Sequence, residues 1–105
     1  MISEPGSKIS FLAIIAGRKR KDALLTALLD TGIHLINTVY CKGTVNASFL
    51  RNTFGFVPEK DKVIITCLST GVKIDIVIKM LENRFEFNRP NTGIAFTVSV
   101  DKVSY

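Results

Sequence analysis

The chain has 105 residues, 14 Lys+Arg against 9 Asp+Glu for a formal net charge of +5, and 47% hydrophobic against 22% charged residues. That is the composition of a folded domain rather than a disordered tail, and the length fits one core, which excludes a multidomain enzyme. No run approaches the roughly 20 apolar residues of a membrane span, Met1–Lys8 is polar rather than a signal or transit sequence, and Cys41 and Cys67 are too few for a disulfide framework or a zinc site.

Residues 1–8, with Pro5 and Gly6, read as a flexible tail, and one domain is expected over 9–105. Ile9–Ala16 is an apolar run of strand length that Gly17 ends. Asp22–Thr31 sets Leu24, Leu25, Leu28 and Leu29 at helical spacing among good helix formers, with Gly32 as a C-cap. Ile33–Cys41 is rich in β-branched residues and predicts a second strand. Gly43–Lys60 is polar and aromatic, contains Gly55 and Pro58, lacks sustained periodicity and reads as a loop. Lys62–Leu68 predicts a third strand.

Val72–Phe85 is ambiguous at first. Val72, Ile74, Ile76 and Ile78 alternate like a strand, whereas Val77, Leu81 and Phe85 recur at four-residue spacing. Fourteen residues is long for a strand and ordinary for a helix, so a helix is expected, capped by Thr70. Arg89–Gly93 is a dense turn signal, and Ile94–Val100 alternates as a last strand.

The order β-α-β-β-α-β predicts an α+β, ferredoxin-like fold. Right-handed crossovers put two helices on one face of a four-stranded antiparallel sheet, with the first and third strands central. Yet both faces of these central strands are apolar: Leu12 and Ile14 oppose Phe11, Ala13 and Ile15, and Ile64 and Leu68 oppose Val63, Ile65 and Cys67. An antiparallel face open to water is normally polar, so other subunits are expected to cover the second face.

Arg18–Lys21 is the densest charge cluster. It reads either as an anion site at the start of a helix or, more commonly for such runs, as a solvated loop. Phe54-Gly55-Phe56-Val57 is part of an RNA-recognition signature. Its context does not fit: Asn52-Thr53 replaces the basic-Gly pair, Glu59 replaces the last aromatic, and Pro58 would interrupt a central strand. His34 is the single histidine, the two cysteines read as small apolar residues, and no nucleophile elbow, carboxylate pair or P-loop is present. The chain is therefore expected not to be an enzyme, and no metal ligands are assigned. In the loop, Phe49, Arg51, Phe54 and Phe56 are residue types favoured at interfaces and are candidate partner contacts.

Several segments together resemble the PII signal-transduction (nitrogen regulatory P-II) family. Asn37–Gly43 resembles the strand that ends in Lys-Gly at the base of the T-loop. Phe56-Val57-Pro58 before Lys62–Leu68 resembles the return from that loop. Asn91–Phe96 resembles the Gly-rich B-loop entering the last strand, and Val98–Val103 that strand's continuation. The resemblance implies a cytoplasmic, non-enzymatic homotrimer. It implies an adenine nucleotide in clefts between subunits, lined by Lys42, Gly43, Arg89, Asn91, Thr92 and Gly93, where a Gly-containing turn can hold phosphate through backbone N–H groups. It implies a partner, a membrane transporter or a metabolic enzyme, met through loop 43–58.

The chain departs from the family in three respects. The loop is shorter than the family's T-loop and lacks the tyrosine that enteric-type members modify. Ile94 stands where the family places a phosphate-binding lysine, and Asn91 where it has a first glycine. The sequence stops at Tyr105, without the basic C-terminal residues that meet phosphates. Each charge-assisted contact is worth roughly 1.5–3 kcal/mol, so these departures weaken ATP binding relative to the family. The alternative function is an RNA-binding module of the same fold, using Arg18–Lys21 and the aromatic loop.

Overall fold

A computed structural model of the chain describes residues 8–42 and 60–100. The elements run β1 (Ile9–Gly17), a 3-10 turn (Arg18–Arg20), α1 (Lys21–Asp30), β2 (Leu35–Lys42), β3 (Asp61–Thr70), α2 (Gly71–Arg84) and β4 (Ile94–Ser99). The strands form one antiparallel sheet in the order β2-β3-β1-β4. This is the expected ferredoxin-like arrangement, with the first and third strands central.

The register sorts each strand into two faces, because successive side chains point to opposite sides. Leu12, Ile14 and Ala16 lie opposite Cys67, Ile65 and Val63. All six are buried, together with Leu24, Ala27 and Leu28 from α1 and Ile74, Val77 and Leu81 from α2. Each large aliphatic side chain fully withdrawn from water stabilises by about 1.5–3 kcal/mol. The helix spacing explains the choice made by residues 71–84. Positions 74, 77 and 81 share one helical face, and that face is buried, whereas Val72 and Ile76 stay exposed. Thr70 caps α2 as expected, its hydroxyl accepting from the Lys73 N–H at 3.3 Å.

Three boundaries differ from expectation for physical reasons. Gly17 is the last residue of β1 rather than its terminator, paired with Lys62. The basic run then forms its own turn before α1 begins at Lys21. β2 starts at Leu35, not Ile33, because the Ile33 N–H is committed to the Leu28 carbonyl at 3.1 Å and closes α1. Gly32, the expected cap, makes this possible with a left-handed φ of 89°.

The opposite face of the sheet carries Phe11, Ala13 and Ile15 from β1 and Ile64 and Leu68 from β3. It also carries Leu35 and Val39 from β2 and Ile94, Phe96 and Val98 from β4. No helix of the described residues covers it. Leu35 is 70% exposed, Val39 49%, Val98 51% and Phe96 36%.

Candidate functional site

Antiparallel pairing brings the ends of β1 and β2 and the starts of β3 and β4 to one end of the sheet. Gly17 pairs with Lys62 and Lys42 with Asp61, while Ile15 pairs with Ile94. Lys42 therefore shares that end with the turn that enters β4, and so do the basic residues that follow β1. Lys42 sits at one edge of the sheet and the turn at the other. With β1 and β3 between them, three strand spacings separate them by about 14 Å. One small anion cannot touch both within a single chain.

The turn is built by its own groups. At the C-terminus of α2 the Phe85 and Phe87 N–H groups both donate to the Leu81 carbonyl at 3.1 Å, and Glu86 between them takes a φ of 60°. Asn91 takes a φ of 66°. Asparagine adopts left-handed backbone readily, but at a residue such as Glu86 it costs on the order of 1–3 kcal/mol and persists only where surrounding contacts impose it. Those contacts are visible here. The Thr92 hydroxyl lies 2.7 Å from the Glu86 carbonyl and 2.9 Å from that of Arg89, so its single proton serves either acceptor. The Arg89 N–H donates to the Glu86 carbonyl at 2.9 Å. Gly93 lies against the Phe87 ring so closely that a Cβ there would stand 2.4 Å from Cζ. Ring packing alone therefore favours glycine at this position. The Arg89 guanidinium stands 3.5 Å from the Glu86 carboxylate, with both side chains largely in water.

The basic run is more ordered than a solvated loop. Arg20 donates to the Phe85 carbonyl at 2.6 Å and to the Thr92 carbonyl at 3.1 Å. Its guanidinium carbon also lies 5.2 Å from the Phe85 ring centre and 5.5 Å from that of Phe87. Arg18 stacks over the Tyr40 ring at 4.5 Å, and Lys21 donates to the Tyr40 hydroxyl at 2.7 Å. The Lys21 ammonium pKa is raised, first by this hydrogen bond and then by the charge interaction with Tyr40, with Asp22 at 3.5 Å adding less. The Arg18 Nε is buried and has no hydrogen-bond partner among the described residues. Its cation meets the ring face instead, the arrangement aromatic quadrupoles favour. Arg18, Arg20 and Lys21 are thus engaged with protein groups. Arg18 and Lys19, with Lys60 and Asp61, line an open cleft of about 430 Å³ at this end of the sheet.

The structure therefore brings Arg89, Asn91, Thr92 and Gly93 into one turn and leaves Lys42 at the far edge of the same sheet end. Gly43 and the loop residues Phe49, Arg51, Phe54 and Phe56 lie outside the described residues. Sequence reasoning missed Arg20, Phe85 and Phe87, which shape the turn. The signal available was the apolar Phe85-x-Phe87 pair just before a turn, of which Phe85 reads as the end of the helix and Phe87 carries no assignment. His34 is exposed, and among the described residues no three His, Cys, Asp or Glu side chains gather as metal ligands. Cys67 is buried on the helix side and Cys41 half-buried on the open side, so they cannot pair, and burial pushes the Cys67 thiol pKa up. No described helix is long and apolar enough to cross a membrane.

In sequence the chain matches no family model and no curated protein. In structure it resembles the apo form of CPII from Thiomonas intermedia K12, a nitrogen regulatory PII-like protein, with a TM-score of 0.66, 16% identity and 88% of each chain covered. The same protein bound to ADP, AMP and bicarbonate gives 0.65 at 14%, over 88% of this chain and 89% of that one. The B. subtilis GlnK–ATP complex gives 0.63 at 15%, over 90% and 86%. CutA from Synechococcus elongatus PCC7942 gives 0.62 at 8%, over 90% and 78%. At such identities the likeness is one of fold, and that fold is the PII-like one the sequence leads one to expect.

Proposed function

We propose that this protein is a non-enzymatic, PII-like regulator. In this reading it forms a homotrimer and senses a small anionic metabolite, an adenine nucleotide, at clefts between subunits. Lys42, Gly43, Arg89, Asn91, Thr92 and Gly93 line those clefts, and loop 43–58, through Phe49, Arg51, Phe54 and Phe56, reports to a transporter or metabolic enzyme. The observation that carries the reading is the strained, internally bonded turn from Phe85 to Gly93 at the same sheet end as Lys42. Its support is a fold shared with proteins solved with ADP, AMP and ATP.

The separation of Lys42 from the turn suits a ligand with two ends, or a cleft completed by a neighbour, better than a lone anion. The uncovered apolar sheet face supplies a reason for subunits to pack, since an exposed patch of this extent is unusual on a monomer. Charge sets the preference among nucleotides. With Ile94 in place of a lysine and Arg89 partly answered by Glu86, the described turn itself offers few cations to a polyphosphate, so AMP and ADP are favoured over ATP. Ligand binding shifts the loop only through its different affinity for the loop's states.

Titration calorimetry with AMP, ADP, ATP and 2-oxoglutarate tests this. Heat with AMP or ADP that is lost in Arg89→Ala and Lys42→Ala is the expected result. Undiminished binding by both variants removes these residues from the site.

The RNA-binding alternative is less well served. Base stacking in that module uses aromatic residues on central strands. Here the open face of β3 presents Ile64, Thr66 and Leu68, and only Phe11 on β1 is aromatic among the central strands.

A further inference from the structure

Arg20 occupies a position that its charge alone does not explain. It leaves the corner between β1 and α1 and reaches across to the turn that enters β4, the strand beside β1. One guanidinium there meets the two ends of the turn at once, the Phe85 carbonyl at 2.6 Å and the Thr92 carbonyl at 3.1 Å. The Phe85 and Phe87 rings approach the same cation within 5.5 Å. The turn so bracketed holds left-handed Glu86 and Asn91, a threonine hydroxyl shared between two carbonyls, and a glycine pressed on Phe87. A loop with that much strain relaxes unless something fastens its ends.

We propose that Arg20 is the positioning residue of the candidate ligand site: its planar fork staples Phe85 to Thr92 and so holds the turn in the conformation that presents Arg89, Asn91 and Gly93. The ligand-facing half of this inference rests on the nucleotide reading above. The staple itself does not. Arginine is required because only a rigid fork with several N–H donors can serve two carbonyls from one side chain while stacking on rings. Lysine keeps the charge but sets its three N–H donors on one nitrogen, with no planar fork to span the two carbonyls or lie on the rings. Arg20 is consequently unavailable as a phosphate ligand, although it belongs to the most basic run of the chain.

The test compares wild type with Arg20→Lys in the full chain by amide hydrogen exchange, thermal melting and titration with AMP and ADP. Arg20→Lys is expected to speed exchange of the 86–93 amides by at least about tenfold, the loss of one charge-assisted hydrogen bond. The added exchange is largest in the turn, the melting temperature falls by a few degrees, as the same loss implies in a domain of this size, and nucleotide affinity falls by a similar factor. Arg89→Ala separates the roles: it lowers affinity without altering exchange in the turn. Unchanged 86–93 exchange in Arg20→Lys overturns the staple whatever the ligand does. Loosened exchange with undiminished nucleotide affinity overturns the positioning role. If wild type binds no adenine nucleotide, the functional reading and the ligand-facing half fall together, and the exchange data alone decide the staple.

Discussion

At the scale of single residues, the turn between α2 and β4 sets the sharpest expectations. A Cβ at Gly93 would stand 2.4 Å from the Phe87 ring, which cannot yield without leaving its place against the core and Arg20. Gly93→Ala is therefore expected to destabilise by about 1–3 kcal/mol, the usual range for overpacking. Adding Phe87→Leu should recover part of that loss in a denaturant double-mutant cycle, and strictly additive losses would show that the two do not touch. Cys67 gives a pH prediction. Burial raises its pKa, so the folded state holds the proton more tightly than the unfolded chain, whose thiol titrates near about 8.5. The associated stability is intact below that pH and is lost as pH rises through the folded-state value. Cys67→Ala should lower stability at neutral pH yet flatten its fall in alkali, measured as urea midpoints between neutral pH and about pH 10. Residue identity explains why part of this turn was legible beforehand. Asn91 tolerates left-handed backbone and Gly93 signals a turn, but Glu86 has no such tendency. Its φ of 60° is imposed by the Thr92 and Arg20 contacts, which lie six or more residues away in sequence.

At the scale of elements, α2 depends on a cap and a buried stripe. Thr70→Ala removes the hydroxyl that accepts the Lys73 N–H and should cost about 1 kcal/mol. Leu81→Ala, at a fully enclosed position, should cost about 2–5 kcal/mol. Chemical denaturation ranks the two, and a reversed order would contradict the packing described here. The helix was readable from length and spacing, and the four strands from β-branched and alternating runs, because those signals are local. The strand ends were not. Ile33 looks like strand but spends its N–H on the last turn of α1, and Gly17 looks like a breaker but pairs with Lys62. The basic run was the least legible element. Its spacing suggests a solvated loop or an anion site, whereas Arg18, Arg20 and Lys21 are drawn to Tyr40, Phe85 and Thr92 by a fold that brings distant residues together.

At the scale of the whole molecule, the two faces of the sheet behave differently. The helix side forms the core, and the other side exposes a band of Leu35, Val39, Phe96 and Val98. The sequence already pointed to this, since both faces of β1 and β3 are apolar. Association should bury the band. Val39→Glu and Val98→Glu are expected to shift the mass by light scattering to that of one chain, with little change in helical circular dichroism. An unchanged mass would put the subunit contact elsewhere. The relation between Lys42 and the turn also belongs to this scale. They share a sheet end but stand about 14 Å apart across it, so ligand binding and assembly are expected to depend on each other.

We propose that an adenine nucleotide binds at the stapled turn. The most direct measurement is the thermal unfolding of the wild-type protein with and without saturating AMP or ADP. A ligand present at 100 times its dissociation constant stabilises by about 2.7 kcal/mol. Nucleotide binding at the turn is expected to raise the melting temperature by several degrees with AMP or ADP, and by less with ATP. An unchanged melting temperature with all three would contradict it.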